Sequence, residues 1–321
     1  MSNHDPDVTL IVPTYRRTSV ARTLTGIAAQ TAPFDYELIV VDNDVNESAR
    51  DIVAEHSRGI AAPTRYIVEP KAGSSFARNT AIAAARGAVI AWCDDDVEPR
   101  PGWLAALVAP ILSGRADGTG GRVILDPSVP RPTWFDEAGI GGYVTSFHLS
   151  DVERELVNRE FVVTANAAYT AQALRRIGGF DPALGTMASV NFGGDDVRVS
   201  RAIRATGGRL RYVPDAVVIH ELPLERLRAK YLLRRAWWVG RSDWVLDAET
   251  LRERRYGGAA VALDWYRTEV RRRRAEGLLK REVLFHALCD IARMSGSLTE
   301  AASLSRRKHS SGGEPADTVE S

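Results

Sequence analysis

The chain has 321 residues, 45% of them apolar and 26% charged, with 42 Lys and Arg against 41 Asp and Glu for a formal net charge of +1. This composition excludes a largely disordered or fibrous chain, and the length suits one large domain or two modest ones. Near-neutrality excludes a global basic field, so no nucleic-acid partner is expected. Only Cys93 and Cys289 occur, too few for a disulfide framework or a cysteine zinc site. The polar, acidic start shows no secretory signal, and no apolar run approaches the roughly 20 residues that span a bilayer. A cytoplasmic protein without a transmembrane segment is the expectation.

In chain order, Val8-Thr9-Leu10-Ile11-Val12-Pro13 reads as a buried strand stopped by proline. Residues 18–30 carry Val20, Leu24 and Ile27 on one helical stripe. Glu37 to Asp42 is a second buried strand, residues 48–57 a helix and residues 64–68 a third strand. Ser74 or Ser75 is placed to cap a helix ending before Gly87, and Ala88 to Trp92 is a fourth strand running into Asp94-Asp95-Asp96. Such alternation predicts a mostly parallel, doubly wound α/β sheet flanked by helices, with ligands beyond the carboxyl ends of its strands.

Residues 113–160 lose periodicity and are read as long loops and irregular strands holding Trp134, Phe135 and Tyr143, which either stack on a ligand or pack beneath a loop. Regular patterns return in a segment from Phe161, a helix over 195–206, and strands at Arg209 to Val213 and Ala216 to His220. Beyond residue 221 the strands stop. Residues 224–240 and 259–294 read as arginine-rich helices, and the tail from about 305 as disordered. The expected division is a catalytic domain over 1–220, a helical extension over 221–304 and a tail over 305–321. Within the first, residues 1–112 would form a donor half and 113–220 an acceptor half.

Four clusters point to chemistry. If Asp94, Asp95 and Asp96 are extended, Asp94 and Asp96 face one side roughly 6–7 Å apart, a costly proximity unless a cation neutralises it. Hard oxygen ligands suit Mg²⁺ or Mn²⁺, with substrate phosphates completing the shell; the plain alternative is a solvated acidic turn. Asp195 and Asp196 open a helix, where one carboxylate suffices as an N-cap and the second is free to act as a base. His220 ends a strand and is either structural or a ligand beside the aspartates. Gly73 to Asn79 offers free helix-start amides and the forked Arg78, a weak anion site.

Taken in order, these segments resemble the family 2 glycosyltransferases of the GT-A fold. The resemblance runs through Val12-Pro13-Thr14-Tyr15-Arg16-Arg17, Val41-Asp42-Asn43-Asp44, the G-x-x-x-A-R-N run Gly73 to Asn79, and Cys93 to Trp103. It continues with Thr164-Ala165-Asn166-Ala167, Gly178 to Asp181, Gly194-Asp195-Asp196 and Tyr212 to His220, covering about residues 8–220. It implies inverting transfer of a sugar from a nucleoside diphosphate donor, a UDP-sugar first among them, to an undefined acceptor. Pro13, Thr14, Tyr15 and Asp42 would line the nucleoside pocket, Asp42 reading the base edge, with Arg17 and Asp95 also on the donor side. Arg78 would lie near the diphosphate and Asp94 near the ribose. Asp96 would hold the metal with His220 as a further ligand. Asp196 would be the base, and Asp195 stands where the family usually has Glu.

A sugar nucleotidyltransferase, or a nucleotide-sugar binding protein without turnover, are the alternatives. The first loop, Pro-Thr-Tyr-Arg-Arg, lacks the glycines of the former. Arg234 to Ser242 resembles a stretch of bacterial members whose cations would reach the diphosphate or close over the acceptor, unless they snorkel on an amphipathic helix. Arg271 to Arg274, with Lys280 and Arg281, would serve a peripheral membrane contact, a solvated face or a homodimer through the C-terminal helices.

Overall fold

Val8, Leu10 and Val12 turn to one face of a sheet and Ile11 to the other, and both faces are covered. The computed structural model describes residues 4–157, 159–186, 193–246 and 281–310. In chain order they form β1 (Val8–Thr14), α1 (Val20–Ala28), β2 (Tyr36–Asp42), α2 (Arg50–His56), β3 (Thr64–Val68), α3 (Ser74–Ala84), β4 (Val89–Cys93), β5 (Val97–Pro99) and α4 (Trp103–Leu112). There follow β6 (Gly118–Leu125), α5 (Glu137–Ile140), β7 (Arg154–Glu155), β8 (Asn166–Thr170), α6 (Ala171–Arg176), α7 (Asp195–Ala205) and β9 (Leu210–His220). After a short 3-10 turn, Leu224–Leu227, come α8 over residues 229–246 and α9 (Arg281–Ser310).

The sheet runs β3-β2-β1-β4-β8-β6-β9-β5, with β7 on β9. Its first four strands are parallel, as the alternating pattern predicts. Past β4 it is mixed: β4–β8, β8–β6 and β9–β5 are antiparallel, while β6–β9 is parallel. Leu24, Ile27, Leu104, Leu107 and Val108 cover one face from α1 and α4. Ala77, Ala81, Leu174, Val199 and Ile203 cover the other from α3, α6 and α7. Each large apolar side chain fully buried here contributes roughly 1.5–3 kcal/mol.

One connection positions the site. Only Asp94, Asp95 and Asp96 separate β4 from β5, yet β8, β6 and β9 lie between those strands in the sheet. The sheet therefore curls until its edge meets the end of β4, and the acidic turn closes the gap. Register then pairs Val97 with His220, which sets the end of β9 beside the turn.

The chain divides into two units, one taking it through Arg131 and from Glu137 to Arg226, the other taking Pro132–Asp136 and the chain from Leu227. The second unit begins near, not at, the expected boundary of 220. Within it α8 and α9 cross closely: a Cβ on Gly240 would stand 1.7 Å from the Arg293 carbonyl oxygen, and one on Gly296 would stand 1.9 Å from that of Trp237. Only glycine fits at such a crossing. Arg241 lies over Trp237 and Trp238 and pairs with Glu300 at 2.5 Å, so this cation is engaged inside the helical unit. Trp134 packs on Phe285, ring centroids 4.6 Å apart. α9 continues to Ser310, past the expected start of the tail. Residues 259–280, with Arg271 to Arg274 and Lys280, and residues 311–321 lie outside the described residues. No helix among the described residues is long and apolar enough to cross a membrane.

Candidate active site

The acidic turn is a turn and not an extended strand, so its carboxylates diverge to three sets of partners. Asp94 faces Arg78, Oδ1 to Nη2 3.7 Å. Asp95 accepts the Thr14 hydroxyl at 2.7 Å and the Tyr15 amide at 3.4 Å, with Arg17 3.4 Å away. Asp96 accepts from Arg17 and, at 3.3 Å, from Arg226 Nη2, while its Oδ1 stands 3.5 Å from His220 Nε2. The expected common side for Asp94 and Asp96 is thus not what forms. The backbone pins the turn, with the Glu221 amide donating to the Asp96 carbonyl at 2.8 Å and Thr23 Oγ1 to that of Val97 at 2.6 Å.

Different partners give the three acids different affinities for protons. Burial pushes Asp94 up to about 6, against the pull of Arg78. Burial pushes Asp95 to about 7, with Arg17 opposing. Burial also works to raise Asp96, but His220, Arg17 and Arg226 hold it below the ordinary carboxylate value. His220 moves down, because burial outweighs Asp96. It is therefore neutral at neutral pH, with a ring nitrogen lone pair available.

On the facing side, Gly194 caps α7 in the left-handed conformation, and no side chain serves as the N-cap. The capping role weighed for the aspartates does not apply. Asp195 is buried and ion-paired to Arg78. Asp196 is half-buried and accepts the Thr164 hydroxyl at 2.7 Å and its amide at 3.3 Å. Burial, then Asp195, raise Asp196 to about 7 against Arg78 and Thr164. Arg78 stands between Asp94 and Asp195 with its guanidinium over the Phe180 ring, 5.2 Å to the centroid. Charge is thereby continuous from the acidic turn to the start of α7, and the two expected halves of the chemistry share one cluster.

On the donor side, several of the expected groups are engaged within the chain. Asp42 is fully buried, and its oxygens accept from the amides of Asp44 (3.0 Å) and Ala49 (2.9 Å) and from the Tyr66 hydroxyl (2.6 Å). It braces the loop after β2. Thr14 is spent on Asp95, so it supports the acidic turn; Pro13 is half-buried beside it, and Tyr15 is exposed. The anion site at the start of α3 is closed as well: the Gly73 amide donates to Asn43 Oδ1 (2.8 Å) and that of Ser74 to the Thr186 carbonyl (3.1 Å). Neither serine caps the helix, since Ser74 Oγ accepts the Thr186 amide and Ser75 Oγ donates to Leu184.

Three partners were missed from the sequence. Thr164 lies in a quoted motif that assigns it no task. Arg226 lies in the 3-10 turn Leu224–Leu227, at the start of a stretch read as one of several arginine-rich helices, which gave it no task of its own. Arg16, at φ +52°, forks onto Asp44 at 2.9 and 3.2 Å, a pairing that requires two loops to meet.

Asp96 and His220 fit a divalent cation by chemistry. At ligand distances of about 2.1 Å, two neighbouring ligands of one ion stand roughly 3 Å apart, close to the separation of Asp96 Oδ1 and His220 Nε2. His220 Nδ1 is buried without a hydrogen-bond partner. No group of three or more His, Cys, Asp or Glu converges among the described residues, so most of the shell would come from substrate and water.

The model of glycosyl transferase family 2 matches residues 9–178, which includes the acidic turn and Thr164 and ends before α7 and His220. Glycosyltransferase AglE of Haloferax volcanii is 26% identical over 258 residues, covering 78% of this chain and 79% of the relative. Succinoglycan biosynthesis protein ExoM of Rhizobium meliloti is 26% identical over 252 residues, covering 78% of each. The mannosyltransferase PcManGT from Pyrobaculum calidifontis, solved with GDP-Man and Mn²⁺, aligns with 98% of this chain and 77% of its own at a TM-score of 0.55 and 20% identity, a likeness of fold. With the family model matching half of the chain, and with a relative named as a glycosyltransferase aligned over more than three quarters of both chains, this protein belongs to glycosyl transferase family 2 and is a glycosyltransferase.

Proposed function

We propose that this glycosyltransferase moves a sugar from a nucleoside diphosphate donor, a UDP-sugar first among candidates, to an acceptor hydroxyl by single displacement with inversion. The observation that carries the reading is Asp196, a half-buried carboxyl raised to about 7 and aimed by Thr164 into the charged cluster that begins at Asp94. A base works best when its proton affinity lies near the working pH. Asp196 takes the acceptor proton as the oxygen attacks the anomeric carbon from the face opposite the diphosphate. Thr164 keeps the carboxylate pointed at that face. Asp195 is occupied by Arg78 and keeps this guanidinium beside Asp94.

Asp96 and His220 would hold Mg²⁺ or Mn²⁺, which supplies charge neutralisation for the departing diphosphate. The neutral imidazole and the low-lying carboxylate are the protonation states that such a role needs. Asp196→Asn is the test. Calorimetric binding of UDP with Mn²⁺ should persist while transfer falls by about 10²–10⁴-fold; transfer at the wild-type rate would remove Asp196 from the role. The anomeric configuration of the product, read by NMR, checks inversion.

A further inference from the structure

The side chains around Asp96 contain more cation than a structural ion pair uses. Arg17 and Arg226 converge on the same oxygen, Oδ2, one from the loop after β1 and the other from the turn after β9. Asp96 is buried, whereas the side chains of Arg17 and Arg226 retain 39% and 19% exposure. Two guanidiniums this close repel each other, and one would satisfy the carboxylate. Arg17 also touches Asp95, but Asp96 is the carboxylate that Arg226 meets. The turn carrying Arg226 is fixed through its backbone, by Glu221 to Asp96 and by the Arg226 amide to the Pro223 carbonyl at 2.8 Å. Its side chain can therefore leave Asp96 while the turn stays in place.

From this arrangement we propose that Arg226, with Arg17, binds the diphosphate of the donor, the two guanidiniums resting on Asp96 until the donor arrives. The inference rests on the glycosyl-transfer reading, which commits Asp96 to another partner when donor is bound. The phosphate oxygens are then the anions available to both forks, and a guanidinium matches two oxygens of a phosphate at once. Their charge counts most as the bond to the sugar breaks, because the leaving diphosphate gains negative charge at that moment.

Calorimetry on the full chain with Mn²⁺, the ion to which that reading commits Asp96, tests this by comparing UDP with uridine, GDP with guanosine, and inorganic pyrophosphate as competitor. The wild type should bind one diphosphate more tightly than its nucleoside. Arg226→Gln should lose about tenfold in that diphosphate affinity with the nucleoside unchanged, as expected for one charged hydrogen-bonding group. Pyrophosphate should compete less well against it, and Arg226→Lys should recover part of the loss. Equal diphosphate affinity in wild type and a folded Arg226→Gln would overturn the inference, as would an equal fall for nucleoside and diphosphate, which marks a merely supporting residue. Should Arg226→Gln fail to fold, wild-type affinity in Arg226→Lys together with undiminished pyrophosphate competition would overturn it too. If the wild type bound neither nucleoside nor diphosphate with Mn²⁺ present, the glycosyl-transfer reading itself would fail.

Discussion

Thr164 donates to Asp196 twice, from its hydroxyl at 2.7 Å and its backbone amide at 3.3 Å. Both bonds favour the charged carboxylate, while burial and Asp195 push the other way and win, leaving Asp196 near 7. A base must be deprotonated to act, so kcat/KM should rise with pH through that value and level off above it. Thr164→Val removes the hydroxyl bond, worth about 1 kcal/mol, and should move the inflection up by at most about one pH unit. At pH 7 the rate should fall about fivefold, with little loss at pH 9. An unshifted profile would detach Thr164 from the base.

Arg78 is 8% exposed and stands between Asp94 and Asp195. Arg78→Met leaves two enclosed carboxylates without their shared cation. Urea titration should show about 3–5 kcal/mol of lost stability, the usual result of breaking a buried ion pair from one side. The sign with pH follows from Asp94. Its folded-state proton affinity is already raised to about 6, and removing Arg78 raises it further. The deficit should be smallest near pH 5, where the carboxyl is protonated, and grow as pH rises toward 8.

For Asp42, the enclosed carboxylate with three donors predicts a structural phenotype. Asp42→Asn should cost about 1–3 kcal/mol in unfolding, because an amide cannot accept what two oxygens accept. The preference for UDP over GDP should be unchanged in direct binding. A reversed preference would return Asp42 to the nucleobase.

His220→Gln separates metal binding from folding. The melting temperature without metal should stay close to wild type, since His220 Nδ1 has no hydrogen-bond partner and the glutamine amide nitrogen can take over the Nε2 contact to Asp96. The Mn²⁺ concentration needed for half-maximal UDP binding should rise at least about tenfold, as perturbing even a supporting partner of a metal ligand costs 10–100-fold. Unchanged Mn²⁺ dependence would exclude His220 as a ligand.

The parallel half of the sheet was legible because β1, β2 and β4 are short apolar runs that only burial on two faces explains. The mixed half was not: three glycines in Gly118–Leu125 interrupt its alternation, and the pairing of β5 with β9 depends on strands more than a hundred residues apart. In the site, Asp96, Asp196 and His220 were visible as polar residues at the ends of regular elements. Asp42 was visible for the same reason, but its three donors were not, since sequence does not reveal which way a strand-end carboxylate turns. Arg226 gave no signal, because its importance comes from a curl of the sheet that no local pattern encodes.

That curl also determines how the centre can fail. Asp96 and His220 meet because Val97 and His220 are opposite one another in an edge ladder three residues long. Their spacing is inherited from main-chain pairing and owes little to side-chain rotamers. Slippage of this short edge by a single position would point His220 away from the turn, so whatever frays the margin of the sheet silences the chemistry before the two cores on its faces begin to melt.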